Sequence, residues 1–89
     1  MSKHHELKTW KNYFEEVVRG NKRFEIRDDS DRAFQKGDTI TLIETEKKQL
    51  ASDVPTGRTF YGQITFVTGF NQFDGNVVFG FKQVPKSTI

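Results

Sequence analysis

One stretch of this chain has the period of a helix, and everything after it reads as strand or turn. Trp10, Phe14, Val17 and Val18 recur at i, i+4, i+7 and i+8 with Tyr13 beside them, while Lys11, Asn12, Glu15, Glu16 and Arg19 fall largely off that face. Thr9 has the side chain of an N-cap, and Gly20 suits the left-handed position after a last turn, so the helix is predicted to end at about Arg19. A helix this short is not stable alone in water. It needs a sheet to lie on.

The remaining segments supply that sheet. His5 to Lys8 reads as a first strand with Leu7 inward. Lys22–Arg27 alternates, and Phe24 and Ile26 are expected on its core side. Asp28–Arg32 is a polar turn, and Ala33 and Phe34 are expected to form a brief helical turn that plugs the core. Gly37-Asp38 turns the chain into a strand over Thr39–Thr45. Glu46 to Gly57, charged or small with Pro55 and Gly57, reads as a mobile loop. Thr59–Thr68 is a long strand with Phe60, Gly62, Ile64 and Phe66 on one face, and Asn76–Val84 closes the pattern with Val77, Phe79 and Phe81 inward. Five strands and one early helix exclude a helical bundle. A wound parallel sheet is excluded by the lack of later crossover helices. The economical fold is α+β, mostly β: a coiled sheet or small open β-barrel of about five strands, with the helix packed at its mouth.

Eighty-nine residues make a single domain, 1–89, with its core over about 4–84 and a flexible tail at 85–89. Nine Phe supply much of the apolar area for that core. No cysteine is present, which fits a reducing, cytoplasmic setting. No apolar run approaches the ~20 residues of a membrane span. The net charge of +2 is too small for a protein that coats duplex DNA. Residues 1–27 nevertheless hold seven cations (Lys3, Lys8, Lys11, Arg19, Lys22, Arg23, Arg27) against four acids (Glu6, Glu15, Glu16, Glu25), which favours a small basic cleft. His4, His5 and Glu6 are strand neighbours that point apart. Asp28, Asp29 and Asp31 lack the spacing and glycine of a calcium loop. No metal or other cofactor is expected.

The segments His5–Trp10, Tyr13-Phe14, Gly20-x-Lys22, Phe24-Glu25-Ile26-Arg27, Asp31-Arg32, Phe34, Gly37-Asp38 and Val77–Phe81 together resemble the ASCH-like domain-of-unknown-function family 3850 of bacteria and their phages, within the PUA-like superfamily. The resemblance covers roughly residues 4–82. It implies a small barrel with a helix at its mouth, and binding of RNA or a modified nucleoside. Some relatives are amidohydrolases of acetylated cytidine, in which a Gly-x-Lys-x-x-Thr-x-Arg segment carries a catalytic Lys and Thr. Lys22 and Arg27 match the Lys and Arg of that segment, but Glu25 stands where the Thr would be.

On this footing His5, Lys8, Lys22, Glu25, Arg27 and Arg32 are the candidate binding residues, and Lys22 and Glu25 the candidate catalytic pair if the protein is an enzyme. Lys22 is a base, a contact to carbonyl or phosphate, or simply an exposed cation. Arg27 offers a fork to phosphate or a base edge, or pairs with Glu25 or a nearby Asp. Glu25 accepts from an exocyclic amine, acts as a general acid or base, or only neutralises its two neighbours. On an ideal strand Lys22 would face away from Glu25 and Arg27, so a shared site needs a bend at residues 21–23. Trp10 and Tyr13 are core or pocket wall, and Phe70 and Phe73, in a loop, are candidates for base stacking. Three functions follow: an RNA- or nucleoside-binding module, a hydrolase of an acylated nucleoside, or a phage or host protein-interaction module.

Overall fold

The computed structural model describes residues 2–89. The order along the chain is β1 (His4–Trp10), α1 (Lys11–Val18), β2 (Phe24–Asp28), β3 (Thr39–Lys48), β4 (Ala51–Thr68), β5 (Asn76–Gln83) and a single 3₁₀ turn at Lys86–Thr88. The five strands form one mixed sheet in the order β1-β3-β4-β5-β2. β3, β4 and β5 are an antiparallel meander, β2 joins β5 antiparallel, and β1 joins β3 in parallel. The sheet is not closed into a barrel, because β1 and β2 remain its two edges. Among the described residues no helix is long and apolar enough to cross a membrane.

The core lies on one face of this sheet. Leu7, Phe34, Ile40, Leu42, Phe60, Ile64, Phe79 and Phe81 pack there, covered by Phe14 and Val17 of α1. The helix is shorter than its sequence period suggests. Trp10 is its N-cap residue, with no side-chain hydrogen bond, and Thr9 lies one residue earlier in β1. Thr9 is therefore a strand residue with a buried side chain. Gly20, at φ +87°, leaves the helix through the left-handed region. The Val17 carbonyl accepts the Gly20 N–H at 3.1 Å, and the Arg23 guanidinium donates to it as a second partner.

Three strand expectations are corrected by register. Glu25 lies opposite the buried Phe79, which puts Glu25 on the core face and sends Phe24 and Ile26 outward. The irregularity between Ile64 and Phe66 reverses the alternation of β4, so Phe66 faces solvent and Val67 packs on the core. The stretch expected as a mobile loop is largely strand. β3 continues to Lys48, turns at Gln49 and Leu50, and pairs with β4 through Glu46–Val54 and Lys48–Ala51. Polar composition does not weaken a backbone ladder, and Pro55 is tolerated because the register is irregular around it. Phe34 does plug the core, but from a loop rather than a helical turn.

Candidate functional site

The cleft lies at the open seam of the sheet, where the free edges of β1 and β2 come close to one another. It measures about 630 Å³ and is lined by Lys8, Thr9 and Trp10 of β1, Tyr13 of α1, Lys22 through Arg27 except Arg23, and Thr45 and Asp53 of the β3–β4 hairpin. Its wall is aromatic and aliphatic (Trp10, Tyr13, Phe24, Ile26), and all four of these side chains are roughly half exposed.

Glu25 is the centre of the polar part. It is only 4% exposed, yet both carboxylate oxygens have cationic partners: Oε1 accepts from Arg27 Nη2 at 2.7 Å, and Oε2 accepts from Lys22 Nζ. A carboxylate this deep would be strongly unfavourable alone, so the two cations are what allow it to be there. Lys22 reaches Glu25 because it precedes β2, in the bend after α1, rather than lying in the strand. Its ammonium also donates to the Phe24 carbonyl at 2.7 Å and lies 5.0 Å from the Phe24 ring centre and 5.8 Å from that of Tyr13. Arg27 crosses the seam: Nη2 donates to the Lys8 carbonyl at 2.9 Å and to the Thr9 hydroxyl at 3.3 Å. One side chain of one edge strand thus satisfies an unpaired backbone acceptor of the other. Lys8 has no ion pair or hydrogen-bonded ammonium among the described residues, which leaves it free for an anionic group.

The expected site is divided by the structure. Lys8, Lys22, Glu25 and Arg27 come together in the cleft. His5 does not join them. It is buried on the core face, two residues from Leu7, where Nε2 bonds Asp38 Oδ2 at 2.8 Å and the ring packs 4.6 Å from that of Phe34. Strand alternation separates His5 from Lys8. Arg32 lies outside the cleft lining and donates to the Glu6 carbonyl at 3.3 Å. Phe70 and Phe73 are exposed in the β4–β5 loop and do not line the cleft.

Some relevant residues escaped sequence reasoning. Phe24 and Ile26 were expected in the core and instead wall the cleft, a placement that follows only from the pairing of Glu25 with Phe79. Asp38 holds its carboxylate against the Lys3 and Gln35 backbone N–H groups, each at 3.0 Å, as well as His5. Burial pushes its pKa up most strongly, but the Lys3 N–H, His5 and the Gln35 N–H together outweigh burial and hold it below the ordinary Asp value. Glu44, 2% exposed, accepts from the Thr56 hydroxyl and has Arg58 Nη1 3.5 Å from its other oxygen, which makes no hydrogen bond. Arg58 also pairs with Glu15 at 3.2 Å and so ties the hairpin to α1. No sequence signal marks Glu44, since acids at strand ends are usually solvated. Among the described residues no group of three or more His, Cys, Asp or Glu is placed to hold a metal.

Residues 4–81 match the family described as Domain of unknown function (DUF3850), and the chain belongs to that family. A relative in Escherichia phage P2, described as an uncharacterized 12.9 kDa protein in the GpA 3' region, is 38% identical over 73 residues. The match covers 82% of this chain and 62% of that protein, so the chain spans about three fifths of the relative's length.

Proposed function

We propose that the seam cleft binds one unit of RNA, or a free modified nucleoside, and that the fold is a PUA-like, ASCH-like sheet left open at that seam. The observation that supports this most is the placing of a buried carboxylate and its two cations at the foot of an aromatic wall. Trp10, Tyr13 and Phe24 offer π-faces to a base, a contact worth about 1–3 kcal/mol per stacked base. Among the described residues Arg27 makes its hydrogen bonds through Nη2, which leaves its other N–H groups to reach a base edge. Lys8 at the rim would take a phosphate. A cleft with one uncommitted lysine suits a single nucleotide better than a long backbone track.

The test is an NMR titration of the protein with nucleosides and short RNA oligomers. Resonances of Trp10, Tyr13, Lys22 and Arg27 are expected to shift, and Lys8→Ala should weaken oligomer binding about three- to tenfold at low salt with little effect on a nucleoside. If no member of the panel moves the cleft resonances, the reading fails.

A second reading, hydrolysis of the amide of an acylated nucleoside, is favoured by the contact between Lys22 and Glu25. Water would add to the acyl carbon and the C–N bond would break, giving a carboxylic acid and the free exocyclic amine. Glu25 occupies the position at which relatives carry the hydroxyl nucleophile, so water itself would have to attack. Acetate released from acetylated cytidine by the protein, and not by Lys22→Ala, would select this reading over simple binding.

A further inference from the structure

The seam cleft is lined by two acids, and only one of them is occupied. Glu25 has both oxygens taken by Lys22 and Arg27, whereas the Asp53 carboxylate accepts no hydrogen bond and forms no ion pair among the described residues. Asp53 is half-buried. Its backbone is unusual as well. From Lys48–Ala51 to Glu46–Val54 the ladder advances two residues along β3 and three along β4, so β4 bulges at Ser52 and Asp53. Asp53 takes a φ of +57° there. Asp enters this left-handed region more readily than most side chains. A bulge re-aims a side chain that regular pleating would place elsewhere.

The two sides of the cleft differ in what they can bond. Asp53 comes from the β3–β4 hairpin, whose first strand pairs with β1 as far as Trp10–Thr45. Lys22 and Arg27 come from the opposite margin, at β2. An ionised carboxylate only accepts, while lysine and arginine only donate. A base that satisfies both sides turns donors one way and acceptors the other. Guanine does so. Its N1–H and N2–H groups are neighbouring donors that match the two oxygens of a carboxylate, and its O6 and N7 accept from a cation. Adenine and cytosine set a ring acceptor beside their exocyclic amine, and uracil sets its N3–H between two carbonyls. Against those bases the second carboxylate oxygen meets an acceptor.

We propose that Asp53 reads the base, and that the unit held in the cleft carries guanine. This rests on the nucleotide reading of the cleft given above. The Asp53 carboxylate accepts N1–H and N2–H from the hairpin side. The N–H groups of Arg27 other than those of Nη2 donate to O6 or N7 from the β2 side. An unpaired carboxylate repels a phosphate, so Asp53 belongs at the base end of the ligand and Lys8 at its phosphate end. The bulge then has a purpose, because it sets the one unoccupied carboxylate of the lining where a base edge can meet it.

Titration with the 5′-monophosphates of guanosine, inosine, adenosine, cytidine and uridine, read from the NMR resonances of Trp10 and Tyr13, tests this. Inosine is the sharpest probe, because it keeps N1–H, O6 and N7 and lacks only the N2 amino group. The guanosine nucleotide is expected to bind about tenfold or more tighter than the inosine one, and than the other three. Asp53→Asn exchanges one acceptor for a donor and should cut that preference to about threefold or less. Asp53→Gly removes the carboxylate and suits the positive φ, so its circular dichroism should match the parent chain. It should bind the guanosine and inosine nucleotides alike. Equal binding of those two by the parent chain overturns the proposal and leaves the nucleotide reading standing, and so does a guanine preference that survives in Asp53→Gly. If no nucleotide moves the cleft resonances, the nucleotide reading fails and the proposal falls with it.

Discussion

Glu25 and Asp38 are both buried acids on the core side of the sheet, and they are held in different ways. Glu25 is held by the tips of two long side chains, Lys22 and Arg27, which are themselves partly open to the cleft. Asp38 is held by two backbone N–H groups and by His5, which is as buried as the acid. Flexible partners beside a cleft can turn toward a ligand with little rearrangement of the sheet. Backbone donors cannot move without moving the strand. The first arrangement suits a site and the second suits a scaffold, although both combine an acid with basic groups.

The largest effect that separates them is on stability. Asp38→Ala strands the buried His5 and two backbone donors, and should cost about 3–5 kcal/mol in urea unfolding. Glu25→Ala should cost less, about 1–3 kcal/mol, because water can reach Lys22 and Arg27. Equal losses at the two positions would erase the distinction. Ligand response should run the other way, with Glu25→Gln altering nucleoside binding by about tenfold while Asp38→Asn leaves it unchanged in the folded protein.

Acid titration sharpens the contrast at smaller magnitude. The Asp38 pKa is lowered in the folded state, so its stabilisation is fully present above the unfolded Asp value and is lost as pH falls through the folded value. The slope of unfolding free energy against pH below about pH 4 should therefore flatten in Asp38→Asn. An unchanged slope would mean that other carboxylates set the acid limb. The smallest effect is expected in the β4–β5 loop. Phe70→Ser and Phe73→Ser should each change stability by less than about 0.5 kcal/mol, and neither should alter binding in the cleft, since both side chains are exposed and away from it.

Periodicity was enough to find the helix, the strands and most of the core. Phe14 and Val17 follow from a 3.6-residue repeat, and Phe79 and Phe81 from a two-residue one. What it could not supply was the sense of each strand. In Phe24-Glu25-Ile26-Arg27 the apolar pair looks inward by composition, but the pairing of Glu25 with Phe79 decides the face, and that pairing is nonlocal. Phe66 was misplaced for a related reason, since one irregularity after Ile64 reverses the alternation. The proximity of Lys22, Glu25 and Arg27 was legible because it spans six residues. The partnership of His5 with Asp38 was not, because it links residues 33 apart in the chain.

The first 28 residues straddle the sheet, with β1 on one margin and β2 on the other, while residues 39–83 make the three strands between them. A ribosome therefore releases both margins before either of the strands they pair with. β1 has no neighbour to join until β3, a parallel partner 35 residues further on, has been synthesised, and β2 has none until β5. Contacts that close over such separations form slowly. The nascent β2 must wait as an unpaired length of chain, its Phe24 and Ile26 side chains uncovered, until the final strand emerges.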